Sequence, residues 1–192
     1  MEKNNFWNDA AKCGAVLGAV LSVSFILENL MTVSGKMSLY VLLTVEWIAV
    51  MVLHYYLLHR FTRQRSGLYS KEEGFTFGQG YGYLLIVSGF AGIIVGLVQC
   101  IYLHLIIGYS NYTAKLTAAL TDMISRSGEV PASMESVIAQ SLDQIQTAPV
   151  PSVLSTVWSG IFTSLFFGAL FGLIIAGVLS RSPKPFDTEA DR

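Results

Sequence analysis

Two carboxyl groups, an amide and an imidazole interrupt stretches of sequence that are otherwise apolar. Glu28 and Glu46 lie in the first and second of these stretches, and Gln99 and His104 lie in the third. An ionisable side chain within a membrane is unfavourable unless it is neutralised or paired, so each residue is a functional candidate. A carboxyl group in a low-dielectric medium favours its neutral form, which can exchange a proton with a passing solute. That is the chemistry of a proton-coupled carrier. The structural alternative is that Glu46 is neutral and only hydrogen-bonds Gln99 or a backbone carbonyl on a neighbouring helix.

Four apolar stretches must position these side chains. They cover residues 12–33, 37–59, 84–107 and 153–179. A hydrocarbon core of about 30 Å needs roughly 20 apolar residues in helical form, because lipid offers no partner for an unpaired backbone group. Hydrophobic residues make up 53% of the chain and charged residues 13%. The sequence therefore predicts an all-α integral membrane four-helix bundle, with residues 1–192 forming a single membrane domain.

The four polar candidates fall at two depths in this arrangement. Glu46 and Gln99 share one depth, and Glu28 and His104 share another that is closer to the outer surface. If the helix faces that carry them meet, they form a polar pocket that opens outward. His54 and His59 lie near the inner end of the second span, where we expect interfacial residues.

The distribution of basic residues indicates the orientation of the chain. Nine of the twelve Lys and Arg residues fall on the side that carries both termini. Cytoplasmic loops collect Lys and Arg, so both termini are predicted to be cytoplasmic. The first span reads as an uncleaved anchor. A basic loop between the second and third spans is expected to face lipid headgroups through Arg60, Arg63, Arg65 and Lys71.

Residues 108–152 separate the third and fourth spans and form an outer segment that is too polar to insert. Apolar residues recur at helical spacing on both sides of residues 127–131, which predicts an amphipathic helical hairpin with a break there. Pro149 and Pro151 are expected to end the second helix. The hairpin is either a lid on the outer end of the bundle or a docking surface for a partner.

Small residues four apart predict where the spans pack closely, because helix association in lipid depends on close backbone approach. The second span has no such run, so we expect it outside a core of the other three, although a smooth face can also be the seam of a homodimer. The stripes of this glycine-zipper type include Gly14, Gly18, Ser22, Ser88, Gly92, Gly96, Gly168, Gly172 and Ala176.

Several classes of function find no support in the sequence. A net charge of -1 leaves no basic surface for nucleic acid. The two cysteines, Cys13 and Cys100, lie in opposite halves of the membrane, which excludes a disulfide and a thiolate metal site. The sequence carries no recognisable catalytic, nucleotide-binding or metalloprotease motif. We therefore expect no enzyme activity, no cofactor and no metal.

The chain resembles a bacterial family of four-span inner-membrane proteins that is described as a domain of unknown function. The resemblance rests on the sequence GFTFGQGYGY at residues 74–83, which leads into the third span. It also rests on a tyrosine-bearing exit, Tyr109 to Tyr112, before the long outer segment. It implies the same architecture and a place in the bacterial inner membrane, and it supplies no catalytic or ligand-binding residues.

Two functions follow from these patterns. The preferred one is an accessory or scaffold subunit that acts through interactions, with the lipid bilayer and a second copy or another membrane protein as partners. It is preferred because three helices have smooth faces of small residues, the outer segment is amphipathic, and the sequence shows no convergent set of ionisable groups. The alternative is a small proton-coupled transporter or permease that uses Glu46, with Glu28, Gln99 and His104 lining the outer half.

Overall fold

The computed structural model describes residues 5–34, 36–126 and 132–183. These residues form six α-helices and one π-helical segment. The elements are α1 (Phe6–Val33), α2 (Met37–Ser66), α3 (Phe77–Cys100), the π-helical segment (Ile101–Ile106), α4 (Tyr109–Arg126), α5 (Ala132–Thr147) and α6 (Val153–Leu179). Four of them, α1, α2, α3 with its π-helical extension, and α6, are long and apolar enough to cross a membrane. The predicted all-α class with four spans is confirmed.

The helices extend beyond the apolar spans at the end of the bundle that carries the start of α1, which is called the inner end after its predicted orientation. α1 begins at Phe6, α2 continues to Ser66 and α3 begins at Phe77. The start of α3 is fixed by a capping box, in which the Thr76 hydroxyl accepts from the Gln79 backbone N–H at 3.3 Å and the Gln79 side chain accepts from the Thr76 N–H. The expectation of a basic loop that starts at Arg60 was wrong, because α2 continues past Arg60 to Ser66.

α3 lies at the centre of the bundle and packs most extensively on α6 and then on α1. The backbones of α3 and α6 nearly touch, since a Cβ atom added to Gly160 would lie 2.5 Å from Gly96 Cα. On the other side of α3, a Cβ atom added to Gly14 would lie 2.8 Å from the Val87 carbonyl oxygen. These three helices therefore form a core that is held by close backbone approach.

The remaining small residues continue these two contacts. A Cβ atom added to Gly92 would lie 2.6 Å from Ile161 Cα, one on Gly18 would lie 2.9 Å from the Ala91 carbonyl oxygen, and one on Gly172 would meet the Tyr81 ring. Gly168 lies against Ser88, and both Ser22 and Ala176 are buried. α2 packs more lightly on the core and exposes large apolar side chains such as Val45, Ile48 and Val52.

A buried ion pair joins the inner ends of α1 and α2. Arg65 Nη1 lies 3.3 Å from Asp9 Oδ2, and only 3% of the Arg65 side chain and 8% of the Asp9 side chain are exposed. The guanidinium also lies 5.2 Å from the centre of the Phe6 ring. The prediction that Arg65 faces lipid headgroups was therefore wrong, because its position on α2 turns it toward α1. Arg60, Arg63 and Lys71 are exposed.

The inner end of α6 is tied to the rest of the bundle by Arg181. Its backbone forms two hydrogen bonds with Phe75, in which the Phe75 N–H donates to the Arg181 carbonyl at 2.9 Å and the Arg181 N–H donates to the Phe75 carbonyl at 2.7 Å. Its guanidinium donates to the Ser66 carbonyl oxygen at 2.7 Å. α2, α3 and α6 are therefore fastened together at this end.

The outer segment contains α4 and α5, which pack on each other, and α4 also contacts α1. α5 ends at Thr147 and α6 begins at Val153, where the Ser152 hydroxyl caps the helix by accepting from the Ser155 N–H at 3.1 Å. The helical hairpin is as predicted. The break expected at residues 127–131 lies outside the described residues.

Candidate functional site

A cavity of about 160 Å³ lies among the four spanning helices, at the level where α2 diverges from the three-helix core. α3 and α6 are held at backbone contact beside it, and Gly160 forms part of its wall. α2 presents large side chains there instead of small ones, so it cannot approach as closely and a gap remains. The polar side chains that line the gap are Ser24, Glu28, His54, Gln99, Thr163 and Ser164.

Glu46 is connected to this cavity through Ser24. The Ser24 hydroxyl donates to Glu46 Oε1 at 2.5 Å, which joins α1 to α2 within the membrane. The second carboxyl oxygen, Oε2, is buried and has no hydrogen-bond partner among the described residues. Glu46 therefore does hydrogen-bond a neighbouring helix, but its partner is Ser24 and not Gln99 or a backbone carbonyl as expected. The other oxygen stays available to a ligand or water.

Glu28 lines the cavity one helical turn outward of Ser24. It lies close enough to Glu46 for the two carboxyl groups to interact electrostatically. Tyr112, in the first turns of α4, lies nearby on the outer side. Burial raises the pKa of the Tyr112 hydroxyl above its ordinary value, and the charge of Glu28 raises it further. The outer segment therefore lies within electrostatic range of Glu28, although Tyr112 does not itself line the cavity.

Gln99 lines the cavity, as the shared depth with Glu46 predicted, but His104 is not among the lining residues. His104 lies in the π-helical segment, is half-buried, and its Nε2 atom has no hydrogen-bond partner in the described part of the chain. A π-helical turn holds an extra residue, which rotates the residues that follow around the helix axis. The prediction from depth in the membrane was therefore correct for Gln99, which lines the cavity, and wrong for His104, which does not.

His54 is a cavity residue, and the prediction that it is interfacial was wrong. It is 3% exposed, its ring packs edge-on against Phe171 with centroids 5.4 Å apart, and its Nε2 atom has no partner among the residues described. The sequence did carry a signal. Trp47, Val50, Met51 and His54 follow the i, i+3, i+4, i+7 spacing of one helix face, and all four line the cavity.

Three further polar residues of the site escaped the sequence analysis. Ser24, Thr163 and Ser164 line the cavity, and Ser164 also donates to the Ser88 carbonyl oxygen at 2.8 Å. Hydroxyl side chains are common in membrane helices, where they bond their own backbone, so their type gave no reason to single them out. Across residues 5–34, 36–126 and 132–183, no three His, Cys, Asp or Glu side chains come together as metal ligands.

Four helices long and apolar enough to cross a membrane fit a multi-pass membrane protein, and the cavity among them is mainly apolar with a few polar side chains. The chain belongs to the family described as "Protein of unknown function (DUF4199)", which matches residues 12–181. The resemblance to an uncharacterised domain family is confirmed. No curated protein matches the chain, and no solved structure matches it.

Proposed function

We propose that the protein is a small membrane carrier that binds a solute in the polar cavity and couples its movement to protons at Glu46. The observation that supports this is the convergence of intramembrane polar groups. Glu28 and Gln99 line one cavity, and Glu46 is bonded to a third lining residue, Ser24. Intramembrane carboxyl groups that face a cavity are typical of substrate and proton pathways. The role is one of binding and transport, without chemical conversion of the solute.

This proposal reverses the preference drawn from the sequence. The accessory role was preferred on three grounds: smooth faces on three helices, an amphipathic outer segment, and no convergent set of ionisable groups. In the folded chain, Glu28 and His54 line the same cavity, and Glu46 is hydrogen-bonded to Ser24, another lining residue. The third of these grounds therefore no longer holds.

The orientation of the chain and the membrane in which it lies form part of the proposal. We place the protein in the bacterial inner membrane with both termini in the cytoplasm, because nine of the twelve basic residues fall on that side. The cavity then lies between the middle of the membrane and its outer surface, with Glu28 as the outermost carboxyl group. A solute would enter from the outer side, past Tyr112.

An accessory role is a second candidate, and one observation favours it. α5 packs mainly on α4, and its residue Val137 is 60% exposed, so part of this outer apolar surface is left for a partner. The partner would be a membrane protein or a second copy of the chain. Purification in mild detergent and mass measurement of the intact particle test this role. A stable complex supports it, and a lone monomer contradicts it.

The carrier proposal is tested by proton movement in proteoliposomes that enclose a pH-sensitive dye. Ethylammonium, alanine, glycerol and acetate are applied in turn, and the change in internal pH is recorded relative to empty liposomes. At least one solute is expected to give a proton flux that falls at least about tenfold in Glu46→Gln, which keeps the shape of the side chain but removes its proton. Glu72→Gln, in the exposed turn between α2 and α3, is the matched control.

Two outcomes would contradict the carrier proposal. One is that none of the four solutes gives a proton flux above that of empty liposomes. The other is that Glu46→Gln gives the same proton fluxes as wild type. Size-exclusion profiles and circular dichroism of each variant show whether a lost flux comes from a lost fold.

A further inference from the structure

The cavity is acidic, which restricts the charge of its ligand. Glu28 lines it and Glu46 stands behind Ser24, while the lining residues include no Lys or Arg. A carboxylate in a site of low dielectric attracts cations strongly and repels anions, because little water screens it. A cavity with acidic groups and no basic counter-charge therefore favours a cation.

An unpartnered buried imidazole is the second observation that points to a ligand. His54 is 3% exposed and lines the cavity, and its Nε2 atom lacks a hydrogen-bond partner in the described ranges. Buried polar atoms are nearly always satisfied, by protein, water or ligand. His54 lies eight residues after Glu46 on α2, or about 12 Å inward at 1.5 Å per residue. The cavity thus has an acidic outer end and a hydrogen-bonding inner end.

The rest of the lining favours an organic cation over a metal ion. Three aromatic residues, Phe25, Trp47 and Phe167, contribute to the wall. Aromatic faces attract ammonium groups and also cover apolar carbon. No group of three metal-ligating side chains occurs among the described residues. With about 160 Å³, the cavity is smaller than the roughly 300–1,000 Å³ of sites for drug-sized ligands, so the ligand has few atoms.

We propose that the cavity binds a small primary alkylammonium ion in exchange for one proton. The ammonium group lies at the outer end, between Glu28 and the Ser24–Glu46 pair, and its carbon chain runs along the aromatic wall toward His54. This inference rests on the proposed function and names the substrate class of the same cavity.

The exchange balances in charge and in atoms. The O–H bond of the neutral Glu46 carboxyl group breaks and its proton leaves to water. The resulting carboxylate accepts a hydrogen bond from the incoming ammonium group. One positive charge leaves the site and one enters, so the cavity never holds an uncompensated charge in the low-dielectric interior. Release of the alkylammonium ion reverses these steps when the carboxylate takes up a proton.

Equilibrium binding tests the substrate class separately from transport. Trp47 is the natural reporter because it lines the cavity, so its fluorescence is followed in detergent in a chain that carries Trp7→Phe and Trp158→Phe. Ethylammonium chloride is expected to give a saturable change, whereas sodium chloride, glycerol and sodium acetate give none at the same ionic strength. A weakly buffered sample should release one proton for each ethylammonium ion bound.

Matched variants locate the binding within the cavity. Glu28→Gln should weaken ethylammonium binding at least about tenfold, the factor for a lost hydrogen bond to a charged group, whereas the exposed Glu72→Gln should leave it unchanged. If Glu28→Gln does not fold, Ser24→Ala takes its place, because it removes the donor to Glu46 and leaves both carboxyl groups. An affinity that neither variant changes overturns the proposed site.

The possible failures are distinguishable. A saturable response to sodium chloride, glycerol or acetate, with none to ethylammonium, overturns the ammonium class but leaves a carrier. Proton fluxes evoked by alanine or glycerol in proteoliposomes, without ethylammonium binding, lead to the same conclusion. Ethylammonium binding without proton release overturns the exchange. Ethylammonium binding without any proton flux across proteoliposomes overturns the carrier function and leaves a binding protein.

Discussion

Breaking the ion pair between Asp9 and Arg65 should destabilise the protein strongly, although these residues lie far along the chain from each other. The charged atoms are 3.3 Å apart, and neither side chain is more than 8% exposed. At an effective dielectric constant of 20, their attraction is about 5 kcal/mol, which is offset largely by the loss of hydration of both ions. The net contribution of the pair is therefore small, but removing one partner deprives the other buried charge of this ion pair, at a cost of about 3–5 kcal/mol.

The change to make is Asp9→Asn, which keeps the size of the side chain and removes its charge. We expect the free energy of unfolding to fall by about 3 kcal/mol, toward the lower end of that range, because the guanidinium of Arg65 keeps its contact with the Phe6 ring. Unfolding is measured by titration with sodium dodecyl sulfate in mixed micelles, followed by circular dichroism. Glu72→Gln is the control for the loss of a carboxylate on the exposed surface.

A double-mutant cycle makes the reasoning refutable. Arg65→Met alone is expected to be as harmful as Asp9→Asn, whereas the double variant should be less destabilised than the sum of the two, because it removes both members of the ion pair together. Two results would refute the account. One is an Asp9→Asn protein within about 0.5 kcal/mol of wild type. The other is strict additivity of the two single changes.

Three further predictions concern packing, the link to α2 and the outer segment. Gly160→Ala should lower the free energy of unfolding by about 1–3 kcal/mol, because the new Cβ would lie 2.5 Å from Gly96 Cα. Gly177→Ala is the control and should change the free energy of unfolding little in the same titration, because its new Cβ would meet no atom within 4 Å. Ser24→Ala should cost about 1 kcal/mol by removing the hydrogen bond to Glu46. Since burial raises the pKa of Tyr112 above 10.0, the folded state holds this proton longer than the unfolded chain, and stability should fall as pH rises past 10.0. The free energy of unfolding of Tyr112→Phe should therefore fall less than that of wild type between pH 9 and 11, measured by the same unfolding titration. An equal fall in the two proteins would contradict a raised pKa at Tyr112.

The three-helix core was predictable because its determinant is local. Small residues four apart mark one face of a helix, and the approach of Gly96 to Gly160 is the contact that this spacing indicates. The start of α3 was also encoded locally, in Thr76 and Gln79. These features depend on neighbours within one or two turns, so one stretch of sequence is enough to find them.

The ion pair and the cavity were not predictable in the same way. Asp9 and Arg65 are 56 positions apart, and their contact depends on how α1 and α2 are rotated about their axes. The same rotation decides that His54 faces the cavity, and the π-helical segment decides that His104 does not. Hydropathy gives the depth of a residue in the membrane, but it does not give its direction around the helix.

The presence of water in the cavity is the claim on which both proposals depend, and a pair of neighbouring residues tests it. Ser24 lines the cavity, whereas Val23, at the same depth, is 58% exposed on the face of α1 that lipid would cover. Each is changed to cysteine in a chain whose Cys13 and Cys100 are replaced by serine. A small, positively charged thiol reagent that does not cross membranes is added from the outer side of sealed vesicles. Thiols react as thiolates, which form in water and not in lipid. We predict that Ser24→Cys reacts at least about tenfold faster than Val23→Cys, and an unreactive Ser24→Cys would contradict the account.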